Sequence, residues 1–271
     1  MPLVVCATPI GNLEDVTLRV LRELRQAAFV LCEDTRRTRI LLDRHGIEAR
    51  LVSYERWSEA RRTSEVLPLL EAGQRVVLVS DAGLPGVNDP GARLIAAALE
   101  QGVQLTVLPG ASAVETALVA SGLVGERYGF LGYVPRSEAA RGELWKELAG
   151  WTWPAVAFES PRRLPRTLAS LARVDSDRRV AVCRELTKRF EEVVRGTAQE
   201  LAARFSEAPK GEITLVIGPS PVTAGDQSEL EASAAAAVSA LAAAGASRRH
   251  AAQIVAGLVG LAPNRLYRRS L

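Results

Sequence analysis

Two Asp, three Gly and two Pro crowd the twelve residues SDAGLPGVNDPG (80–91), directly behind the apolar run Val76–Val79. A loop of this kind at the carboxyl end of a buried strand exposes main-chain groups and carboxylates where open α/β sheets bind ligands. Asp81 can accept hydrogen bonds from an amine or a hydroxyl, and Gly83 lets a ligand approach the backbone. Asp89, beside Pro90 and Gly91, reads as a cap for the following helix. Three further loops follow apolar runs: TPIGN after the first, EDTRR after the second and PGASA after the fifth. Parallel topology would gather all four along one sheet edge. No GxGxxG and no GxxxxGK[ST] occurs, which argues against a dinucleotide fold or a P-loop.

The elements that must hold these loops follow from hydrophobic pattern. Strands are predicted at 3–7, 29–32, 50–53, 76–79 and 104–108. Helices are predicted between them at 15–26, after EDTRR to 44, at 58–72 and at 91–101, with another from PGAS to 121. The strands are apolar throughout, which predicts a parallel sheet covered on both faces. From 129 on, strands are predicted at 129–133, 155–159, 179–185, 191–195 and 213–217, with 179–185 and 191–195 as an antiparallel pair. The expected organisation is an α/β domain at 1–122, a second α+β domain at 123–219, a linker GPSPVTAGDQ (218–227) and a helical segment at 226–271. The Ala-rich helix is placed at 230–244. Ser247 is expected to cap a second helix reaching 260, and Pro263–Asn264 to open a third. Residues 245–271 hold five Arg and no acid, so this segment reads either as a helix-turn-helix-like RNA binder or as a packing cap.

Composition narrows the class. The chain has 271 residues, 48% of them hydrophobic, and a formal net charge of +3. Arg, Glu or Asp interrupts every long apolar run, so no membrane span is expected. The start lacks a basic n-region, which predicts a cytoplasmic protein without a secretory signal. Cys6, Cys32 and Cys183 each sit in or beside β-like apolar runs and read as core residues. His45 and His250 have no second ligand at metal spacing, so no metal is expected. Lys occurs only at 146, 188 and 210, and the other 31 of the 34 basic residues are Arg. Arg suits bidentate phosphate contacts, which leaves an anionic partner open.

Taken together, the segments TPIGNLED (8–15), CEDTRRT (32–38), VSDAGLPGVNDPG (79–91), LPGASA (108–113), FLGYVPR (130–136), FESPRRL (158–164), RELTKRFEE (184–192) and KGEITLVI (210–217) resemble the tetrapyrrole-methylase-like superfamily. They are most similar to its ribosomal RNA small subunit methyltransferase I branch. The match runs in order over nearly the whole chain, with departures at Leu84, Val87–Asn88 and Glu159. The resemblance implies two α/β domains with S-adenosylmethionine in the cleft between them, a homodimer, and methyl transfer to a ribose 2′-hydroxyl of a cytidine in small-subunit ribosomal RNA. For the donor it nominates Asp81, Gly83, Leu84, Ala111 and Ser112, with Phe158, Leu186 and Ile213 from the second domain. A tetrapyrrole or other small-molecule methylase, and a non-catalytic RNA-binding assembly factor, are the competing functions.

A ribose hydroxyl must lose its proton as it attacks the methyl, so a general base adds to positioning. Asp34, Glu185 and Lys188 are the loop candidates, with Glu191 and Glu192 farther out. Lys188 can shed a proton where Arg cannot, or it holds an RNA phosphate together with Arg189. Asp34 can instead form a structural ion pair with Arg36 or Arg37 at a helix start. Arg36, Arg37 and Arg39, with Arg162, Arg163 and Arg166, are the expected phosphate track. Tyr54, Trp57 and Tyr133 are candidates to stack a base.

Overall fold

The computed structural model describes residues 2–220 and 224–271, the side chains of 224–229 excepted. It divides into two compact units, Met1–Pro219 and Ser220–Leu271. The first unit begins with β1 (Leu3–Cys6), α1 (Leu18–Gln26), β2 (Phe29–Cys32), α2 (Thr35–Arg44), β3 (Leu51–Ser53), α3 (Glu59–Glu71), β4 (Val76–Val79), α4 (Ala92–Glu100), β5 (Leu105–Leu108) and α5 (Ala113–Ser121). It continues with β6 (Gly129–Tyr133), α6 (Glu138–Ala149), β7 (Ala155–Glu159), α7 (Leu164–Val174), β8 (Arg179–Arg184), β9 (Glu192–Thr197), α8 (Ala198–Arg204) and β10 (Ile213–Ile217).

The first five strands form one sheet in the order β3-β2-β4-β1-β5, and every pairing is parallel. The period-2 geometry of a strand sends Leu3, Val5, Val76 and Leu78 into one core layer and Val4, Cys6, Val77 and Val79 into the other. Both faces are buried, which is why these strands read as unbroken apolar runs. Removing each such Val or Leu from water stabilises the fold by about 1.5–3 kcal/mol.

The other five strands form a mixed sheet, β6-β7-β10-β8-β9, antiparallel except for β6 with β7. Helices α6, α7 and α8 supply the core on one face, through Trp145, Leu148, Leu164, Leu168 and Leu201. The other face packs on α5, where Val114, Ala117 and Leu118 meet Val156, Ala181, Cys183 and Val216. So α5, the last helix of the parallel layer, also lines the mixed one. Arg195 on β9 reinforces this by donating to the carbonyls of Ser121 (3.0 Å) and Ala120 at the end of α5.

Two local differences have clear causes. The helix expected at 15–26 splits, because Val16 is extended (ψ 138°). A short 3-10 turn, Leu13–Asp15, is capped by Asn12, and α1 starts afresh where the Thr17 hydroxyl accepts the Val20 N–H at 3.2 Å. Strand β9 runs to Thr197 rather than 195, since all six of its residues pair with β8. Thr197 then opens α8 through a capping box with Glu200.

The second unit is a helical trio, α9 (Ala224–Ala243), α10 (Arg248–Val259) and α11 (Pro263–Arg269). Helix α9 begins ahead of the expected 230, and part of the expected linker, 221–223, lies outside the described residues. Ala234, Ala235, Val238, Ala252, Val255 and Leu266 make its core. Ser247 occupies the cap position of α10 but forms no side-chain cap bond, in contrast to the expectation. Glu231, only 2% exposed, is held by Arg265 at 2.7 Å and by Arg269. Two of the segment's five Arg thus neutralise a buried acid inside the unit. No helix among the described residues is long and apolar enough to cross a membrane.

Candidate functional site

The carboxyl ends of β1, β2, β4 and β5 open onto a cavity of about 900 Å³, walled on its far side by the mixed sheet. That volume is in the range of small-molecule and cofactor sites. The first wall is tied together mainly through backbone. Thr8 and Gly83 exchange two main-chain hydrogen bonds, both 2.9 Å, and the Thr8 hydroxyl donates to the Ser80 carbonyl at 3.0 Å. Gly83 makes this bridge at φ +77°, where a side chain would be strained. Asp81 joins the neighbouring loop: its Oδ1 accepts the Asp34 N–H at 2.9 Å and its Oδ2 lies 3.5 Å from Arg37 Nη1.

In the first turn of α5, Glu115 takes the hydroxyls of both Ser112 and Tyr128. Burial raises this carboxyl, but the two hydroxyls outweigh it and hold its pKa below the usual range. The far wall presents Phe158, stacked edge-on against Phe130 (5.1 Å between ring centres) and Tyr133 (5.6 Å). Beside it stands Leu186, flanked by Glu185 (φ +51°) and Thr187 (φ +64°). Left-handed backbone at two non-glycine residues costs on the order of 1–3 kcal/mol each and persists only where surrounding contacts enforce it. Those contacts are present. Glu185 Oε1 accepts Lys188 Nζ and the Glu212 N–H, both at 2.9 Å, and Lys188 also reaches Glu212 Oε2 at 2.7 Å. Thr187 Oγ1 accepts the Asn12 N–H at 3.0 Å, joining this loop to the one after β1.

All eight residues nominated for the donor line this one cavity: Asp81, Gly83, Leu84, Ala111, Ser112, Phe158, Leu186 and Ile213. The three nominated proton acceptors do not line it, and each has another occupation. Asp34 caps α2, accepting the Arg36 N–H at 2.8 Å and gripping the Arg36 guanidinium. Those bonds hold its pKa down at about 2, which makes it a weak base. Backbone and Lys188 hydrogen bonds lower Glu185. Burial pulls Lys188 down, but Glu212 and Glu185 more than reverse it, so its ammonium is favoured. This trio works as an ion-paired latch beneath Leu186.

The arginines separate as well. Arg37 lines the cavity, Arg36 pairs with Asp34, and the exposed Arg39 reaches the Ala49 carbonyl at 3.5 Å. Arg162 is exposed next to the lining residues Ser160 and Pro161. Arg163, expected on a phosphate track, instead turns inward to the carbonyls of Val134 and Pro135 and to Glu159. Tyr54 is also corrected: it is buried, bonded to Thr63 at 2.9 Å, and cannot stack a base. Tyr133 is 62% exposed and does line the cavity, whereas Trp57 is exposed and bonded to Glu55. The three Cys are buried, and burial pushes their thiols up to about 11 to 12.

Sequence reasoning passed over Glu33 and misjudged Asp89, and both line the cavity. Helix α4 is capped at Gly91, whose N–H goes to Glu59 at 2.7 Å, so Asp89 is not its cap. Burial raises Asp89, which the Ser80 hydroxyl and Arg56 oppose and the Asp81 charge reinforces. For Glu33 the available signal was its position immediately after strand β2, where a side chain meets the crevice.

Comparison with known proteins agrees with this architecture. The model of the Tetrapyrrole (Corrin/Porphyrin) Methylases matches residues 2–202. Ribosomal RNA small subunit methyltransferase I of Thermotoga maritima is 41% identical over 216 residues, covering 79% of this chain and 97% of that one. The protein of the same name from Micromonospora olivasterospora is 42% identical over 262 residues, 96% of this chain and 83% of its own. Among solved structures, diphthine synthase aligns with a TM-score of 0.62 at 18% identity, over 80% of this chain and 89% of its own. Uroporphyrin-III C-methyltransferase from Thermus thermophilus, complexed with S-adenyl homocysteine, aligns at 0.59 and 18% over 80% and 97%. These two share the fold. With a family model spanning most of its length and relatives above 40% identity, the chain belongs to the tetrapyrrole methylases and, within them, to the ribosomal RNA small subunit methyltransferase I family of methyltransferases.

Proposed function

We propose that the chain transfers a methyl group from S-adenosylmethionine to the ribose 2′-hydroxyl of a cytidine in small-subunit ribosomal RNA. The observation that carries this reading is the convergence of all eight nominated donor residues, from both sheets, on one cavity. The walls suit the donor's chemistry. Asp81 offers a carboxylate to a cation, Gly83 and Ala111 border the cavity with little side-chain bulk, and Phe158, Leu186 and Ile213 give an apolar face for a flat ring. When bound, this donor supplies an electrophilic methyl on a positively charged sulfur. The chain's own contribution is then mainly placement, because a held nucleophile beside an activated methyl removes most of the entropic barrier. Arg37 at the cavity and the exposed Arg162 are the cations on this surface suited to an RNA phosphate.

The RNA acceptor rests on the names of the relatives. A homodimer acting in the cytoplasm completes the proposal. The test is donor-dependent methyl incorporation into isolated small subunits, followed by mapping of the modified ribose. Methylation of one cytidine 2′-hydroxyl is the expected result. Transfer to a porphyrinogen with none to RNA would overturn the reading, as would RNA binding without any transfer.

A further inference from the structure

Six carboxylates line the cavity, and four of them are engaged. Asp81 holds the Asp34 N–H and Arg37, and Glu115 holds two hydroxyls. Glu159 is bound by Arg163 and Thr167, and Glu212 by Lys188. Asp89 has no such bond among the described residues, because the Ser80 hydroxyl near it donates to the carbonyls of Ala82 and Gly83. The sixth is Glu33. It directly follows β2, lines the cavity, and has no side-chain hydrogen bond or ion pair among the described residues. Its oxygens are therefore free to take a proton from a group seated in the cavity. The residue after it, Asp34, faces the other way and is consumed by Arg36.

We propose that Glu33 is the proton acceptor for the ribose hydroxyl, resting on the methylation reading above. The step balances without a further reactant. The 2′-O–H proton passes to the Glu33 carboxylate as the new O–CH₃ bond forms. The methyl–sulfur bond breaks, its electron pair stays on sulfur, and the positive charge there is discharged. Glu33 then returns the proton to water.

The surroundings favour this role. Burial raises the Glu33 carboxyl first, and the charges of Asp89 and Asp81 raise it further; Arg56 and Arg37 oppose them. A raised carboxyl is a stronger base, which is what general-base catalysis needs. Tyr133, also at the cavity, is itself raised by burial and by Asp89, Glu212 and Glu33, so it remains a neutral phenol. The same crowding of negative charge admits a neutral hydroxyl and a cationic donor more readily than a phosphate.

The experiment uses the full chain with S-adenosylmethionine and isolated small subunits. Glu33→Gln keeps the shape and removes the base. Its kcat is expected to fall by about 10²- to 10⁴-fold, with donor and RNA affinities within about twofold of the unmodified chain. The unmodified chain should show kcat rising with pH through the raised Glu33 value, a limb that Glu33→Gln lacks. Asp89→Asn removes a charge that raises Glu33 and should move the limb to lower pH. Glu33→Asp, which keeps a carboxylate, should restore part of the rate and the limb. A Glu33→Gln enzyme within about threefold of full rate across the pH range would overturn the assignment, as would a loss matched by weaker donor binding. Absence of ribose methylation by the unmodified chain would instead refute the methylation reading, and this assignment with it.

Discussion

The two walls of the cavity are built by different means. The parallel sheet presents its loops by topology: four strand ends lie on one edge, and the Thr8–Gly83 bridge and Asp81 then bind three of the loops together. The mixed sheet has no such edge. It delivers Leu186 from the loop joining an antiparallel pair, in a backbone that two left-handed residues contort and an ion-paired trio restrains. One wall follows from strand order with Asp81 as its main side-chain tie, and the other is held in place by a network of side chains. Substitutions should therefore act differently on the two.

Asp81→Ala should have the largest effect, because it removes the side chain that links two loops of the parallel wall. We expect donor affinity to fall at least about tenfold, a loss of roughly 1.4 kcal/mol, in a calorimetric titration. Unchanged affinity would mean that the tie is irrelevant to the site. Gly11→Ala attacks the seam between the walls. Its Cβ would lie 2.5 Å from Lys188 Cγ and 2.8 Å from the Leu186 carbonyl oxygen. Overpacking of this kind costs about 1–3 kcal/mol, which a lowered melting temperature would register; an unaltered melt would show that the seam yields freely.

Lys188→Met separates a latch from a catalyst. Transfer should persist, reduced by less than about tenfold, as suits the loss of a partly exposed ion pair; complete loss with intact donor binding would restore Lys188 as a reacting group. The latch also has a pH window. Lys188 is raised in the fold, so its contribution is full below the unfolded lysine value and disappears as pH climbs through the folded one. Glu185 is lowered, so its contribution is present above the ordinary carboxylate value and disappears as pH falls through the folded one. The melting difference between the unmodified chain and Lys188→Met should accordingly vanish at both extremes. Asp34→Asn is the mildest change, since Asn caps a helix as well as Asp does. Transfer should be unaltered, and neutral-pH melting should fall only slightly, through loss of the exposed Arg36 ion pair that Asn cannot form. The stability that Asp34 lends is lost as pH falls from the ordinary carboxylate value toward about 2. A large fall in transfer by this variant would return Asp34 to the chemistry.

The parallel wall was legible because its physics is local. Unbroken apolar runs such as Val76–Val79, each followed by a polar loop, declare buried parallel strands and the edge on which their loops meet. The individual donor residues came from family resemblance, and the cavity gathers them. Proton chemistry was less legible. Asp34 and Glu33 are adjacent acids in one loop, and nothing in residue type says which turns toward Arg36 and which toward the cavity. The same holds for Lys188: its rarity in an Arg-rich chain drew attention, but its role depends on Glu212, which lies 24 positions away. Arg163 likewise had a charge suited to RNA and finds its partners in the carbonyls of Val134 and Pro135.

The Thr8–Gly83 bridge bears on how such a loop tolerates change over time. Its hydrogen bonds run from main chain to main chain, so they are indifferent to which side chains the neighbouring positions carry. Leu84 and Val87–Asn88 can drift without disturbing that frame, whereas Gly83 cannot. Divergence in this loop is therefore a poor gauge of altered donor use. A homologue that keeps the bridging glycine and loses half of the surrounding letters retains the same frame.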